Sequence, residues 1–352
     1  MSRRTNEIKT KLERLIIDLK MEGRSQLPPE RKLCEDFGVS RITAGKAIAQ
    51  LVNEGILNRR QGSGTFITDS DAAPKDSVIG VLLRTAYFGN DPHFHTLIDA
   101  LSEKTEGRRT SIQIIDRVLE QFRESENSNR IVKAIGTGLL NGLIIVSRMP
   151  SEIIVRLNRA TPLVVLGNHA GSGDIACVYS DDAMAGFIGT KKLVDSGHRK
   201  ILYMTENFEL PDSQVRLTGC RIALKAAGLP EPSVLETGIS EQTLKKRLIE
   251  IIKNEKFTAI YSRTTKLADY AIEIITGEGL RVPEDVSVVG TGVYDNSENG
   301  FSKITAVDLK WRLMAGTAYE MLFSMMAGKT IKRKNIMIEP ELKEGKTVCK
   351  IK

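Results

Sequence analysis

The chain shows two successive patterns of hydrophobic positions, and the pattern changes near residue 77. Before that point, apolar side chains recur every three or four positions, which is the spacing of one buried helix face. This spacing predicts helices over residues 5–21 and 30–37, and a third that Ser40 caps and Gly55 ends. The apolar stripe of the third helix is formed by Ala44, Ala47, Ile48, Leu51 and Val52.

A hairpin is predicted directly after the third helix. Segments 56–60 and 65–68 are strand-like, and a glycine-rich tip at 61–64 separates them. The polar face of the third helix lies near its N-terminus, where unpaired backbone amides favour an anion such as phosphate. Its residues are Arg41, Ile42, Thr43, Gly45 and Lys46. A basic helix face beside a basic hairpin is typical of a winged helix-turn-helix DNA reader. A small helical bundle with ordinary solvated charges is the alternative.

This segment resembles the DNA-binding domain of the GntR family of bacterial transcription regulators. The matching residues are Leu27-Pro28, Glu30-Arg31, Phe37-Gly38-Val39-Ser40-Arg41, Thr43, Ala47, Leu51, Glu54-Gly55 and Arg60-Gln61-Gly62-Ser63-Gly64-Thr65-Phe66. The resemblance implies that the second helix binds DNA through Arg31, and that the tip of the wing enters the minor groove near Gln61 and Gly62. It also assigns DNA contacts on the recognition helix to Ser40, Arg41 and Thr43.

One position departs from the family pattern. Gly45 stands where relatives commonly carry an arginine, and glycine costs a helix interior about 1 kcal/mol relative to alanine. Either the usual base contact is absent, or Lys46 takes part of its role. The operator sequence therefore cannot be copied from relatives.

Beyond a polar linker at 70–77, the pattern becomes one of short β-branched runs that alternate with amphipathic stretches. This alternation predicts an α/β fold with two doubly wound lobes, whose ligands bind beyond the carboxyl ends of the strands. The predicted strands are 78–83, 111–115, 142–146, 162–166, 176–179, 200–203, 234–236, 259–261 and 286–289. The predicted helices include 95–105, 128–136, 184–196, 214–227, 242–254, 265–277 and 309–327.

This second part resembles the effector domain of LacI-type regulators, which is itself similar to periplasmic sugar-binding proteins. The residues that carry the resemblance are Asp181-Asp182, the run from Leu193 to Ile201, Arg216 with Gly219, and the run from Val282 to Gly290. The resemblance implies that Arg216 reaches into an interlobe cleft and binds a ligand through its forked donors. It places lobe 1 at about 78–177 and 308–328, and lobe 2 at about 178–307 and 329–352.

Two departures affect the expected sugar site. Relatives often have Asn-Asp before the helix that starts near Thr265, and an aspartate two residues after the Val-Val-Gly strand. This chain has Thr264-Thr265 and Gly292 at those positions. Carboxylates usually bind paired sugar hydroxyls, so their loss indicates another effector, a reshaped pocket, or a domain that mainly dimerises. Asp295 and Asn296 lie close enough in the sequence to substitute for them. Thr264 and Asp295 are therefore candidate effector ligands beside Arg216.

Charge and composition limit the function classes. Residues 1–70 hold 13 basic and 9 acidic side chains, a net +4 out of +7 for the chain, so positive charge is concentrated where DNA binding is expected. The four cysteines include no C-x-x-C pair, which indicates reduced thiols in a cytoplasmic protein. The sequence contains no membrane-span-length apolar run and no signal-peptide core. No catalytic, metal or cofactor motif is found.

Together, these patterns predict a cytoplasmic, ligand-responsive transcription regulator, most often a repressor, and not an enzyme. Its partners would be operator DNA, a small-molecule effector such as a sugar, and a second copy of the chain in a two-fold dimer. Two alternatives stay open at this point. One is a DNA-binding head fused to an enzyme-like domain, and the other is a DNA binder whose α/β part only dimerises.

Overall fold

The computed structural model describes residues 3–22, 24–53, 56–60, 63–67, 77–83, 92–116, 130–146, 148–167, 174–238, 241–292 and 303–351. The chain divides into two compact units. The first comprises Met1–Tyr87, Leu101–Val178 and Ala315–Ile336, and the second comprises Phe88–Ala100, Tyr179–Met314 and Met337–Lys352. Among the described residues, every helix is too short or too polar to serve as a transmembrane segment.

The N-terminal head contains three helices and a hairpin. Helix α1 spans Arg3–Met21, α2 spans Glu30–Phe37 and α3 spans Arg41–Asn53. Strands β1 (Leu57–Arg60) and β2 (Gly64–Ile67) pair antiparallel. These elements match the predicted ones closely, whereas Gly55 and Thr68 lie outside the described residues. The buried core of the head is formed by Ile8, Leu12, Ile16, Leu19, Leu27, Leu33, Ala47, Ile48, Leu51, Leu57 and Ile67.

Local backbone geometry explains two boundaries in the head. Gly38 has φ +64° and its N–H bonds back to the end of α2, so this glycine ends the helix. The hairpin gains a third strand segment from the turn before α2. There, Leu27 N–H donates to Thr65 O at 2.9 Å, and Ile67 N–H donates to Ser25 O at 2.8 Å. The wing is therefore fixed to the helical part by backbone hydrogen bonds.

The α/β part contains strands β3–β14 and helices α4–α11. The strands are β3 Ser77–Leu82, β4 Thr110–Ile115, β5 Gly142–Ile145, β6 Leu163–Leu166, β7 Ala176–Ser180, β8 Ile201–Thr205, β9 Ser233–Glu236, β10 Ala259–Ser262, β11 Ser287–Thr291, β12 Thr305–Asp308, β13 Asn335–Ile338 and β14 Glu341–Lys343. The helices are α4 Pro92–Thr105, α5 Arg130–Gly136, α6 Ser151–Ala160, α7 Asp182–Asp195, α8 Pro211–Ala226, α9 Glu241–Glu255, α10 Thr265–Gly277 and α11 Trp311–Met326.

Lobe 1 is built on a six-stranded sheet with the order β13-β7-β6-β5-β3-β4. Strands β3 to β7 pair in parallel. Strands β5 and β6 are fully buried, since helices cover both faces of such sheets. Helix α11 packs closely on this sheet, because a Cβ at Gly142 would lie 2.8 Å from the sulfur of Met326.

Lobe 2 is built on a second six-stranded sheet with the order β14-β12-β11-β10-β8-β9. Its strands pair in parallel except β14, which is antiparallel to β12. The α/β class with a winged helix-turn-helix and two doubly wound lobes is thus confirmed. Strands β12, β13 and β14 are not among the predicted strands, since each has only three or four residues and is defined by its sheet neighbours.

The compact units differ in places from the lobe boundaries expected from the sequence. Residues Phe88–Ala100 lie in the second unit, although the sequence assigned them to lobe 1, and the first unit extends to Ile336. The chain passes repeatedly from one unit to the other, and such crossings leave no local signal in the hydrophobic pattern.

Candidate functional site

The recognition helix α3 begins with a polar cap. Thr43 N–H donates to Ser40 Oγ at 3.3 Å, and the two hydroxyls lie 3.0 Å apart. Ser40 therefore satisfies a backbone donor at the helix start, as its residue type predicts. Arg41 is exposed, and Ile42 is 72% exposed despite being apolar. An exposed apolar side chain beside an arginine can contact thymine methyl groups in the major groove.

The exposed face of α3 has open space at its unusual glycine. A Cβ at Gly45 would meet no atom within 4 Å, so a larger side chain could be accommodated there. The absence of a side chain at this position is consequently not required by packing. Lys46 next to it is exposed and adds positive charge to the same helix.

Arg31 lies on α2 and forms an exposed ion pair with Glu35 of the same helix. Its Nε donates to Glu35 Oε1 at 3.2 Å, and the two side chains are 80% and 63% exposed. Ion pairs this exposed contribute about 0–1 kcal/mol. Arg31 can therefore exchange Glu35 for a DNA phosphate at little cost.

The wing is held by side chains on both sides of its tip. Gln26 Nε2 donates to Ser63 O at 2.9 Å, the Arg60 guanidinium lies 5.0 Å from the centre of the Phe66 ring, and Arg59 forms an ion pair with Glu30. These contacts fix the strands that carry the tip. The predicted minor-groove residues Gln61 and Gly62 lie outside the described residues.

A second candidate site is a network of buried charges in lobe 2, centred on Arg216 of α8. Arg216 is 6% exposed. Its Nε donates to Asp182 Oδ1 at 2.8 Å, and its Nη1 donates to the backbone oxygen of Arg263 at 2.7 Å. The guanidinium is thus fixed in one orientation by α7 and by the segment after β10.

Arg263 extends this network with two further carboxylates. Its Nε donates to Glu206 Oε2 and its Nη1 to Asp212 Oδ2, each at 2.6 Å. Three carboxylates therefore surround two arginines. Glu206 has a side chain that is 39% exposed, while the Arg216 side chain is only 8% exposed. The outer carboxylates can consequently be reached from solvent, whereas Arg216 forms the base of the network.

The network lies at the edge of the sheet where ligands of doubly wound folds bind. Glu206 directly follows β8 and Arg263 directly follows β10, and these two strands are parallel neighbours. Their carboxyl ends meet at one edge, which is the ligand edge in open α/β sheets. A set of forked donors and carboxylate acceptors there suits a ligand rich in hydroxyl groups.

Burial changes the ionisation of this network. It raises the pKa of Asp182 above its ordinary value, and the attraction of Arg216 offsets only part of that effect. Burial lowers the pKa of Arg216, but the carboxylates of Asp182 and Asp212 raise it by more, so the arginine stays charged. Arg216 therefore keeps its charge and all of its hydrogen-bond donors. The ionisation of Asp182, in contrast, depends on the balance between its burial and the attraction of Arg216.

Two glycines bring α7 and α8 together so that Arg216 can reach Asp182. A Cβ at Gly186 would lie 1.9 Å from Arg216 O, and a Cβ at Gly219 would lie 1.9 Å from Ala183 O. Backbone stands at both points, so only glycine permits this approach. Gly219, three residues after Arg216, thus lets α8 approach α7 closely enough for Arg216 to reach Asp182.

Of the other two predicted effector residues, the structure describes only Thr264. Thr264 caps α10 by accepting a hydrogen bond from Leu267 N–H at 3.1 Å, and it donates to Glu206 Oε1 at 2.8 Å. Thr264 therefore borders the network, with its hydroxyl already used. Asp295 lies outside the described residues.

Four members of the network are not among the predicted site residues: Asp182, Glu206, Asp212 and Arg263. Each follows a predicted strand or begins the next helix, so charged residues directly after buried strands were the available signal. The pairing of Arg263 with Asp212 and Glu206 joins positions 51 and 57 residues apart, which no local pattern encodes.

Known protein families match both the N-terminal head and the α/β part of the chain. The family described as "Bacterial regulatory proteins, gntR family" matches residues 4–67, and "Periplasmic binding protein-like domain" matches residues 190–348. The chain is a transcription regulator with a GntR-type head and a periplasmic-binding-protein-like second domain. This regulator is 27% identical to the "Arabinose metabolism transcriptional repressor" of Geobacillus stearothermophilus over 96% of its own length and 95% of that protein.

Solved structures agree on the fold of this GntR-type regulator. A LacI family transcriptional regulator from Enterococcus faecium with bound ribose covers 78% of this chain and 100% of that chain, at 18% identity and a TM-score of 0.65. The complex titled "transcriptional regulator CelR-cellobiose complex" covers 94% of each chain, at 18% identity and a TM-score of 0.63. The arabinose repressor named above is a regulator and not an enzyme, in agreement with the predicted function class.

Proposed function

We propose that this regulator is a cytoplasmic repressor whose affinity for operator DNA is controlled by a sugar or a sugar-like molecule. The observation that carries the proposal is the Arg216–Asp182 pair, buried at the ligand edge of a domain that is joined to an exposed recognition helix. The head, residues 1–69, would bind the operator. Residues 70–77 would link it to the body, residues 78–352, which would bind the effector and pair two subunits.

Two observations support a polyhydroxylated effector. The carboxylates that relatives place near Thr265 and Gly292 are absent here, but Glu206, Asp182 and Asp212 supply others at the same edge of lobe 2. Relatives and structural neighbours include a repressor of arabinose metabolism, a ribose-bound regulator and a cellobiose complex. We therefore propose that Arg216 and Thr264 form part of the effector site, and that Asp295 contributes to it.

The DNA-binding assignment is tested by selection from a random-sequence duplex library. The full chain is expected to enrich one sequence, and Arg41→Ala is expected to weaken binding to that duplex by about 1–3 kcal/mol and relax preference at one position. Arg31→Ala is expected to weaken binding to all duplexes alike, since it would contact phosphate. Arg221→Ala, a change on the exposed side of α8 in lobe 2, is the control and should alter neither.

If the chain enriches no sequence at moderate ionic strength, the proposed function as a sequence-specific DNA-binding regulator is wrong. Unchanged binding after combined replacement of Arg31 and Arg41 would contradict the assigned contacts only. The same duplex also tests the remaining predicted contacts Ser40, Thr43, Lys46, Gln61 and Gly62 by single alanine replacements.

The effector site is tested by thermal shift with arabinose, ribose and cellobiose. A sugar at 100 times its dissociation constant should add about 2.7 kcal/mol to the free energy of unfolding. Arg216→Lys is expected to abolish that gain, because lysine keeps the charge but lacks the planar fork that engages Asp182 and the backbone oxygen of Arg263. Arg221→Lys on the same helix is the matched control.

A sugar response that persists in Arg216→Lys would place the effector elsewhere. If none of the three sugars shifts the melting temperature, sugar control is wrong for these compounds. In that case, sugar phosphates and sugar acids are the next probes, since Arg216 can also bind carboxylate and phosphate groups.

A further inference from the structure

One apolar residue of α1 is buried by a partner outside the head. Ile17 is only 9% exposed, yet it is not part of the head core that its neighbour Ile16 helps to form. Its apolar cluster consists instead of Val132 of α5 and Ala160 of α6, which both belong to lobe 1. The head and lobe 1 lie in the same compact unit. Without lobe 1, Ile17 would be an exposed isoleucine on the outer side of α1.

The approach of α1 to lobe 1 is close at one glycine. A Cβ at Gly136, the last residue of α5, would lie 1.9 Å from Ile17 Cγ1 and 3.4 Å from Ile17 Cβ. Any larger residue at position 136 would therefore displace Ile17. Helix α1 also contacts α6 along this face. Gly136 thus forms a seat into which the side chain of Ile17 fits.

A surface groove borders this contact. Its volume is about 440 Å³, and it is lined on the head side by Lys9, Glu13 and Ile56, and on the lobe side chiefly by Arg130, Lys133 and Leu139. The apolar contact itself is small, since Ile17 packs only against Val132 and Ala160 in its cluster.

Docking leaves the DNA-binding surface free. Ile17 lies on α1, whereas the predicted contacts Arg31 and Arg41 lie on α2 and α3 and are exposed in the docked head. One head can consequently dock on lobe 1 and present its recognition helix at the same time. Docking would fix the position of the recognition helix relative to lobe 1.

Helix α6 joins this seat to the ligand edge of lobe 1. The chain leaves β5 at its carboxyl end, α6 begins at Ser151, and the helix ends at Ala160 against Ile17. Its ten residues span about 15 Å as a rigid element. A shift of the residues after β5 would therefore move the surface on which the head rests.

We propose that lobe 1 holds the head through a docking surface formed by Ile17, Gly136, Val132 and Ala160, and that docking preorganises the head for operator binding. The docking itself does not depend on the proposed function, whereas its effect on DNA affinity rests on that function. Undocking releases the head into many orientations, so that more ordering is needed when DNA binds.

The docking is tested with a disulfide in the full chain. The 3.4 Å separation found for Ile17 Cβ and a Cβ at position 136 is close to the range of about 3.5–4.5 Å in disulfides. Ile17→Cys with Gly136→Cys, in a Cys34→Ser and Cys349→Ser background, is expected to close an intramolecular bond on mild oxidation. Peptide mass mapping measures it, and each single cysteine variant is the control. Free thiols in the folded double variant would overturn the docking.

The coupling is tested on the duplex selected by the unmodified chain. The oxidised double variant, in which the head is held docked, is expected to bind with a Kd within threefold of that of the unmodified chain. Gly136→Leu, which displaces Ile17, is expected to lose at least fivefold in affinity, and Ile17→Ala carries the same test if Gly136→Leu does not fold. Gly277→Leu, where a Cβ meets no atom within 4 Å, is the matched control.

A loss above threefold in the oxidised double variant relative to the unmodified chain, or a loss below fivefold on undocking, would overturn the coupling. If the unmodified chain selects no duplex, the proposed function has failed and the coupling falls with it. The crosslinking result is obtained without DNA, so it still decides whether the head docks.

Discussion

At the scale of single residues, lobe 2 combines buried charges with a buried neutral base. Arg216 keeps its charge because two carboxylates compensate for the lost hydration. His198 has no such compensation. It is 2% exposed, its Nδ1 lies 2.9 Å from Thr258 Oγ1, and burial lowers its pKa below the ordinary value of 6.5. The folded protein therefore favours the neutral imidazole.

This leads to a prediction for the pH dependence of stability. Below about pH 6.5 the unfolded chain binds a proton at His198 that the folded chain does not bind, so acidification favours unfolding. The free energy of unfolding is expected to fall as the pH drops from about 7 to 5. Denaturant unfolding at several pH values measures it, and His198→Asn should flatten the part of the slope due to this residue. An equal slope in that variant would contradict the assignment.

At the scale of elements, the close contact of α7 and α8 determines where Arg216 lies. Gly219→Ala would place a Cβ 1.9 Å from Ala183 O, so the helices would have to separate. We expect a loss of about 1–3 kcal/mol in the free energy of unfolding and a weaker sugar response. Denaturant unfolding and thermal shift measure these effects.

The matched control for this contact is Gly277→Ala in α10. A Cβ there meets no atom within 4 Å, and alanine favours helix by up to about 1 kcal/mol. The control should leave stability unchanged or raise it. Equal losses in the two variants would mean that the α7–α8 approach is not the cause.

At the scale of the whole molecule, two subunits are predicted to present two recognition helices. If the regulator is a two-fold dimer, the selected duplex should be an inverted repeat with half-site centres about 10 base pairs, or a multiple, apart. Sequencing of the selected duplexes and sedimentation of the complex measure repeat and stoichiometry. A single half-site bound by one chain would contradict the dimer and leave the DNA-binding assignment intact.

Local sequence patterns predict the types and order of most of the elements. Helix α2 and helix α10 have the predicted bounds, because periodic burial, a capping residue and a glycine stop are local features. The family patterns likewise located Arg216 and the recognition helix. These inferences depend only on residues a few positions apart.

Contacts between residues far apart in the sequence follow only from the folded structure. Ile17 of α1 lies outside the buried core of the head, because it packs against Val132 and Ala160 of lobe 1. The partners of Arg216 and Arg263 lie 34 to 57 residues away, and the packing of strands and helices within the second unit brings them together. Hydrophobic periodicity reports that a face is buried, but the identity of the surface that buries it is a property of the folded chain.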